Sequence, residues 1–492
     1  MSHINYILKS AFIIFSASLI ARVLGYITKI IIARNSQEIY GLYSLGNSLV
    51  LFLVPLVLLG LNIGLSRYLG FYIGKNQKKK ADMAISTALK IVIPLSILSF
   101  LVVFFFSGEI SQLFKTENMA LTLRVFSMLI PLTALSYLFF SILTANKKIK
   151  QLVFARDLLQ GALEVIFILV AVYIGFSIKS VAFAFILAVL ITLIVVYNKN
   201  RFSFQLKGFD KPLVNFSISA LIIFVFIDMI TRIDTLILAH YVNINEVATY
   251  NVAVPTAQMI LIFSISLLTV FLPSISERHA QRKSINKEYK SVTKWTLILT
   301  YPGAILMILF STKIIEVLFG QKYLSASIPL SILSFSLFLL SLSRPAYNVL
   351  LMLKKTKLLI KMSTGVILLD VVLNFALVNL MIHHNIPGMY GSAIATGLSI
   401  ILLSTLTSYF AYIHTKIKIL GKNELKIILS GIIAITPLVI IKLLAKNESL
   451  IHLIVYLIIF CIIYLTLLIK TRCFDKTDRD LLSLIKNRFA KK

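Results

Sequence analysis

Every second loop of this chain is basic, and the stretches between loops are apolar and about twenty residues long. They fall at 10–33, 41–66, 83–107, 120–144, 152–174, 178–197, 212–240, 247–275, 291–311, 325–353, 358–382, 388–413, 425–444 and 450–470. That makes about fourteen, each near the length an α-helix needs to cross a bilayer. The loops Lys75–Lys80, Lys147–Arg156, Lys199–Lys211, Arg278–Lys294, Lys354–Lys361 and Lys416–Lys426, with both termini, sum to about +27, and the loops between them to about +1. Basic loops stay cytoplasmic. One missed or invented span would break the alternation, so it predicts an even span count with both termini cytoplasmic.

A net charge of +30 in a soluble domain would suggest nucleic acid, but here the cations sit in short loops between spans and mark topology. No nucleic-acid partner is expected. With 59% hydrophobic and 14% charged residues the chain has the composition of an all-α polytopic membrane protein. No loop exceeds about twenty residues, which leaves no room for a soluble catalytic domain. The apolar stretch from Ala11 to Ala33 is too long for a signal-peptide core and lacks a clean cleavage site, so it is expected to remain as the first span. Cys461 and Cys473 form neither a metal pattern nor a disulfide framework, and the seven histidines, the His383-His384 pair included, lack metal spacing. No cofactor is expected.

The chain also repeats itself. Lys29–Phe114 lies over Asp234–Phe319 at a spacing of about 204 to 208 residues, pairing Ala33 with Ala239, Tyr43 with Tyr250, Pro94 with Pro302 and Glu109 with Glu316. Asn146-Lys147-Lys148 likewise matches Leu353-Lys354-Lys355. Six spans per repeat make both copies enter from the same side, so the repeats are parallel and related by a pseudo-two-fold axis along the membrane normal. The expected organisation is a six-helix bundle over 1–205, a second over 206–418, two further transmembrane helices over 419–471 and a cytoplasmic tail over 472–492.

Ionisable residues inside spans are the candidates for function. Span one reads SLIARVLGYITKIIIAR, with Arg22, Gly25 and Lys29 at i, i+3 and i+7 on one face. A cation near the bilayer centre costs about 2.5 to 3.5 kcal/mol on insertion scales, so this face should look at protein or at a water-filled cavity. For Arg22 the competing reading is a buried acid such as Glu164 or Asp370, each near the middle of its own span. For Lys29 it is snorkelling to the outer interface. Span seven, VFIDMITRIDTLILA, carries Asp228 and Arg232 at i, i+4, either a neutralised structural pair or part of the cavity wall. Asp234 lies on another face and reads as a gate or a cross-bundle contact. Glu164 and Asp370 hold matching places in the two repeats, as proton or sodium carriers or as packing partners of the cations. Arg344-Pro345 marks a kink in span ten and a second candidate cargo contact. The cavity set is therefore Arg22, Lys29, Arg232 and Arg344, and the coupling or gating set Asp228, Asp234, Glu164 and Asp370. Pro55, Pro94, Pro131, Pro255, Pro273, Pro302, Pro329 and Pro345 all fall in or beside spans and bend helices, but none is thereby a hinge.

The stretch ARVLGYITKIIIAR in span one, Tyr40-Gly41-Leu42-Tyr43 opening span two, Tyr250-Asn251-Val252-Ala253 opening span eight and Phe271-Leu272-Pro273-Ser274-Ile275-Ser276 closing it resemble the oligosaccharide-lipid flippases. These belong to the multidrug, oligosaccharidyl-lipid and polysaccharide exporter superfamily, and the resemblance runs the length of the chain. ARVLG also looks like the start of the lipid II flippases, whose matching arginine lines the central cavity; that role would fall on Arg22. Their second cavity arginine falls on Thr28, with Lys29 beside it, and their second-span arginines are unmatched, since Leu51–Leu59 reads LFLVPLVLL. The resemblance implies a plasma-membrane transporter, not an enzyme, moving a polyprenyl phosphate- or pyrophosphate-linked oligosaccharide to the outer leaflet by alternating access for surface glycan assembly. The implied partners are that lipid, the surrounding membrane lipids, and a glycosyltransferase or polymerase of the same pathway, with the chain itself a monomer. Two other readings compete. A multidrug cation antiporter would want acids and aromatic faces where span one offers cations. A glycan polymerase or ligase would want an outer acid or base on a substantial loop.

Overall fold

Ser36 alone separates the first two helices, α1 (Ser2–Asn35) and α2 (Gln37–Leu58). Its backbone is extended and its hydroxyl accepts a hydrogen bond from the Ile39 amide at 3.2 Å, so one residue ends a helix and caps the next. The computed structural model describes residues 2–114, 116, 118–200, 208–268, 286–417, 421–444, 450–471 and 473, and among them there is no strand. The expected motif Phe271–Ser276 and the tail from Arg472, Cys473 excepted, lie outside the described residues, as does the Asp228 side chain.

After α2 the chain continues through α3 (Leu61–Gly74), α4 (Lys78–Phe105), α5 (Ser107–Ser111), α6 (Met119–Ser127), α7 (Leu129–Ala145) and α8 (Ile149–Val153). A π-helical turn, Phe154–Leu159, leads into α9 (Gln160–Ile174) and α10 (Ile178–Asn200). The second repeat comprises α11 (Lys211–Tyr241), α12 (Ile244–Gln258), α13 over 261–268, α14 (Asn286–Leu309), α15 (Ser311–Phe319), a 3₁₀ turn (Gln321–Ala326), α16 (Ser327–Met352), α17 (Thr356–His383) and α18 (Gly388–Thr415). Then follow α19 (Lys422–Leu444) and α20 (Leu450–Lys470). Among the described residues, ten of the expected spans are helices long and apolar enough to cross a membrane. The other four fall on α1, α11, α19 and α20, helices of 34, 31, 23 and 21 residues.

The repeat is visible in how two spans break. Pro55 in α2 precedes a break at Leu59-Gly60, and Pro255 in α12 precedes one at Met259-Ile260, four residues on in each case. At both breaks the helix tightens to three-residue bonds, Leu59 amide to Leu56 carbonyl and Met259 amide to Thr256 carbonyl, each 3.2 Å. Leu59 and Gly60 have φ of 46° and 73°. At Gly60 a side chain is excluded twice over, by that backbone and by the Ser217 carbonyl of α11, which a Cβ would overlap.

The chain divides into two compact units. One comprises Met1–Pro255, Phe319–Pro329 and Ser363–Ser399. Lipid gives helices no hydrophobic reason to associate, so close packing of small residues does the work. In this unit Gly46 admits the Phe126 ring and Gly64 admits the Ser217 side chain. The connector into α11 is tied to α4: Lys90 Nζ donates to the Gly208 carbonyl at 3.2 Å and the Asp210 amide to Thr87 Oγ1 at 2.8 Å. Asp210 then caps α11 by accepting from the Leu213 amide.

The other unit comprises Thr256–Leu318, Leu330–Met362 and Ile400–Lys492. In it α19 and α20 dock on α14 through Leu297, Tyr301, Ile427, Leu438, Phe460 and Tyr464. Gly431 makes room for the Tyr301 ring, whose hydroxyl donates to the Ile428 carbonyl at 3.2 Å.

Candidate functional site

Four helices of the first unit bring charge together at one place. Lys29 on α1 is half-buried and lies within electrostatic reach of Glu164 on α9 and Arg232 on α11. Tyr43 on α2, 5% exposed, neighbours the same two charges. Glu164 is held by Gln160, whose Nε2 donates to Oε1 at 3.0 Å. The face of α1 between Arg22 and Lys29 borders open space, since a Cβ on Gly25 would meet nothing within 4 Å.

Arg22 is more exposed than Lys29, and the acid it feels is Asp157. Asp157 sits in the π turn that opens span five, 6% exposed, with Arg156 Nε and Nη2 donating to its two oxygens at 2.7 and 2.9 Å. π turns of this kind recur at functional sites. Arg22 and Lys29 are seven residues apart, and so are Asp157 and Glu164, so α1 and span five face each other with a cation and an acid on each of two rungs. Sequence reasoning passed over Asp157 because it borders a basic loop; the shared seven-residue spacing was the signal that marks it.

The equivalent positions in the second repeat carry a different charge pattern. Lys29 corresponds to Asp234 and Glu164 to Asp370, so a cation–acid pair becomes two acids. Asp234 is 1% exposed and well bonded: its oxygens accept from the Thr235 amide at 2.7 Å and from Tyr250 Oη at 2.8 Å, with Thr396 Oγ1 at 3.5 Å. Asp370 on α17 is fully buried and within electrostatic reach of Asp234. Neither of its carboxylate oxygens has a hydrogen-bond donor among the described residues; the Ser399 hydroxyl is close but outside hydrogen-bonding geometry. Beside it Asn374 Nδ2 donates to the Asp370 carbonyl at 3.0 Å and Ser392 Oγ to Asn374 Oδ1 at 2.6 Å. Arg344 belongs to the other unit, half-buried on α16 next to Tyr347, with its carbonyl accepting from Asn348 Nδ2 at 2.9 Å.

At the helix ends remote from the basic loops, the two repeats are bonded to each other within the first unit. Gln37 Nε2 donates to the Asn245 carbonyl at 3.2 Å and Thr249 Oγ1 at 3.0 Å, and Tyr40 Oη to the Asn251 carbonyl at 2.8 Å. Tyr323 Oη reaches the Ala33 carbonyl at 2.9 Å, and the Tyr26 ring meets Phe319 edge-on at 5.9 Å. Sequence reasoning used Tyr40–Tyr43 and Tyr250–Ala253 as landmarks; here they are where the repeats touch.

The fold has known counterparts. A lipid II flippase, MurJ, in an inward closed conformation superimposes with a TM-score of 0.75 at 18% identity, covering 92% of this chain and 97% of that one. An inward-facing multidrug resistance MATE family transporter of the MOP superfamily gives 0.68 at 13% identity, covering 82% and 98%. At such identities the shared property is the fold. An uncharacterised membrane protein of Methanocaldococcus jannaschii is 25% identical over 461 residues, 88% of this chain and 89% of its own length. The model of the polysaccharide biosynthesis protein family matches residues 40–328, more than half the chain, and it is to this family that the chain belongs.

Proposed function

We propose that the chain is a flippase that moves a polyprenyl phosphate- or pyrophosphate-linked oligosaccharide from the cytoplasmic to the outer leaflet of the plasma membrane, with both termini cytoplasmic. The observation that carries this reading is the pairing of Lys29 with Arg232, two cations from the leading helices of the two repeats held within reach of each other inside the membrane. Like charges are costly to hold together there, and an anionic headgroup relieves the cost. The polyprenyl tail remains in lipid while the sugar-bearing head, which lipid rejects, occupies the cavity. Arg22, Lys29 and Arg232 pair with the phosphates, for which guanidinium suits bidentate contact.

Transport follows from alternating exposure of this site by two bundles, 1–205 and 206–418. The bonded seam of Gln37, Tyr40, Asn245, Thr249 and Asn251 is the outer gate in its closed state. Asp234 and Asp370 form the coupling site: two buried acids, one without a hydrogen-bond donor, favour uptake of a proton or a sodium ion. With the inside negative, each negative charge carried outward across the full field gains about 2.3 kcal/mol per 100 mV, so voltage also favours export.

The test is flipping of a headgroup-labelled polyprenyl-pyrophosphate oligosaccharide in proteoliposomes, beside uptake of a lipophilic cation. Lipid flipping by the parent, lost in Lys29→Gln and Arg232→Gln, with no cation uptake, supports the reading. Cation uptake without lipid movement makes the chain a multidrug exporter instead, which the shared fold also accommodates.

A further inference from the structure

The cargo site already contains an anion of its own. Glu164 is fixed by Gln160 at 3.0 Å on α9, which packs directly on α1 where a Cβ at Gly161 would stand 3.4 Å from the Leu24 side chain, and Lys29 and Tyr43 each lie within electrostatic reach of both Glu164 and Arg232. A carboxylate within electrostatic reach of a cation that a phosphate is to occupy competes with that phosphate. The neighbouring rung repeats the device, with Asp157 beside Arg22, but there Arg156 already holds the acid through two hydrogen bonds. Glu164 has no such cation of its own on α9. The cation within its electrostatic reach is Lys29.

We propose that Glu164 is the stand-in anion of the empty transporter: it offsets the charge of Lys29 when no cargo is bound, and the cargo phosphate takes its place. This rests on the anionic-lipid reading and adds to it a positioning residue that acts through Lys29. A transporter must return empty after each delivery, and Lys29 and Arg232 would make that return with uncompensated charge in a poorly hydrated site. Glu164 supplies the compensation. It also weakens cargo binding, because the phosphate must displace it, and weak binding is what permits release at the outer face. Affinity and turnover are therefore opposed at this residue.

Glu164→Gln keeps the Gln160 hydrogen bond and the side-chain volume while removing the charge. In proteoliposomes supplied with labelled polyprenyl-pyrophosphate oligosaccharide, the variant is expected to show a half-saturating concentration lower by about tenfold and a maximal flipping rate lower by a similar factor. Glu164→Asp, which keeps the charge, stays near the parent in both. In a Lys29→Gln background, where flipping is lost and affinity is read by equilibrium binding of the labelled lipid, Glu164 is left repelling the phosphate, so the double variant binds the lipid better than Lys29→Gln alone. A merely structural residue would lower the rate and leave or weaken the affinity, in both backgrounds alike; that result overturns the proposal. If Glu164→Gln folds poorly, the comparison of Lys29→Gln with the double variant decides the matter. A parent that takes up the cation and not the lipid instead removes the functional reading itself.

Discussion

Gly41 of α2 lies against Ile244, the first residue of α12, so closely that a Cβ at position 41 would overlap the Ile244 carbonyl oxygen and stand 2.7 Å from its Cγ1. This is where span two of the first repeat meets span eight of the second, with Gln37 and Tyr40 bonded across the same junction. A backbone carbonyl cannot swing aside as a side chain can. Gly41→Leu is therefore expected to hold the seam apart. In a chain with Cys461 and Cys473 replaced by serine, a Gln37→Cys probe should react with an outside, impermeant maleimide at least about tenfold faster when Gly41→Leu is present, and lipid flipping should fall. Equal labelling rates would mean that the seam is not a gate.

Tyr40→Phe tests the same seam without steric force. It removes one hydrogen bond, from Tyr40 Oη to the Asn251 carbonyl, worth about 1 kcal/mol net. That shifts a two-state equilibrium about fivefold, so labelling of Gln37→Cys should rise by about that factor with the thermal unfolding temperature nearly unchanged. A drop in unfolding temperature with no change in labelling assigns Tyr40 to packing alone.

Gly60→Ala should destabilise the fold. The left-handed backbone costs a side chain about 1 kcal/mol, and the overlap with the Ser217 carbonyl adds about 1 to 3 kcal/mol of overpacking. Thermal unfolding in detergent should fall by several degrees, while Gly25→Ala, which meets open space, leaves it within about 0.5 kcal/mol of the parent. The opposite ranking would contradict the packing of α3 on α11.

The helices were legible in sequence because each apolar run matches a bilayer thickness, and the two-repeat plan was legible because landmarks such as Tyr43 and Tyr250 recur in order. The breaks at Leu59-Gly60 and Met259-Ile260 were not. Pro55 and Pro255 announce a bend, but a leucine at positive φ is imposed by packing between helices that are far apart in sequence. The intramembrane charges were legible as a set, since each is costly alone, and their pairing was not. Sequence spacing offers Arg22 either Glu164 or Asp370 as a buried partner, whereas the fold brings Asp157 within its electrostatic reach and Glu164 within that of Lys29. For Asp234, which the sequence offers as a gate or cross-bundle contact, the fold supplies hydrogen bonds from Tyr250 and Thr396, which no spacing announces. Contacts of that kind depend on the rotation of each helix about its axis, which a hydrophobic pattern in lipid barely specifies.

The two buried acids of the second repeat make opposite predictions, and that contrast tests the coupling site. Asp234 accepts hydrogen bonds from Tyr250 and Thr235, so Asp234→Asn weakens bonds already made and should destabilise the protein by about 1 to 3 kcal/mol. Asp370 is fully buried and, among the described residues, has no donor on either carboxylate oxygen, so its charge is uncompensated when no cation is bound. Removing an uncompensated buried charge is stabilising, and Asp370→Asn should raise the unfolding temperature of the cation-free protein by a few degrees, about 1 to 3 kcal/mol. The gain comes with a loss. Sodium, titrated against choline at fixed ionic strength, or a proton gradient should stabilise or drive the parent and leave Asp370→Asn indifferent. If both variants destabilise alike and keep the parent's response to sodium and protons, Asp370 is a packing residue and coupling lies elsewhere.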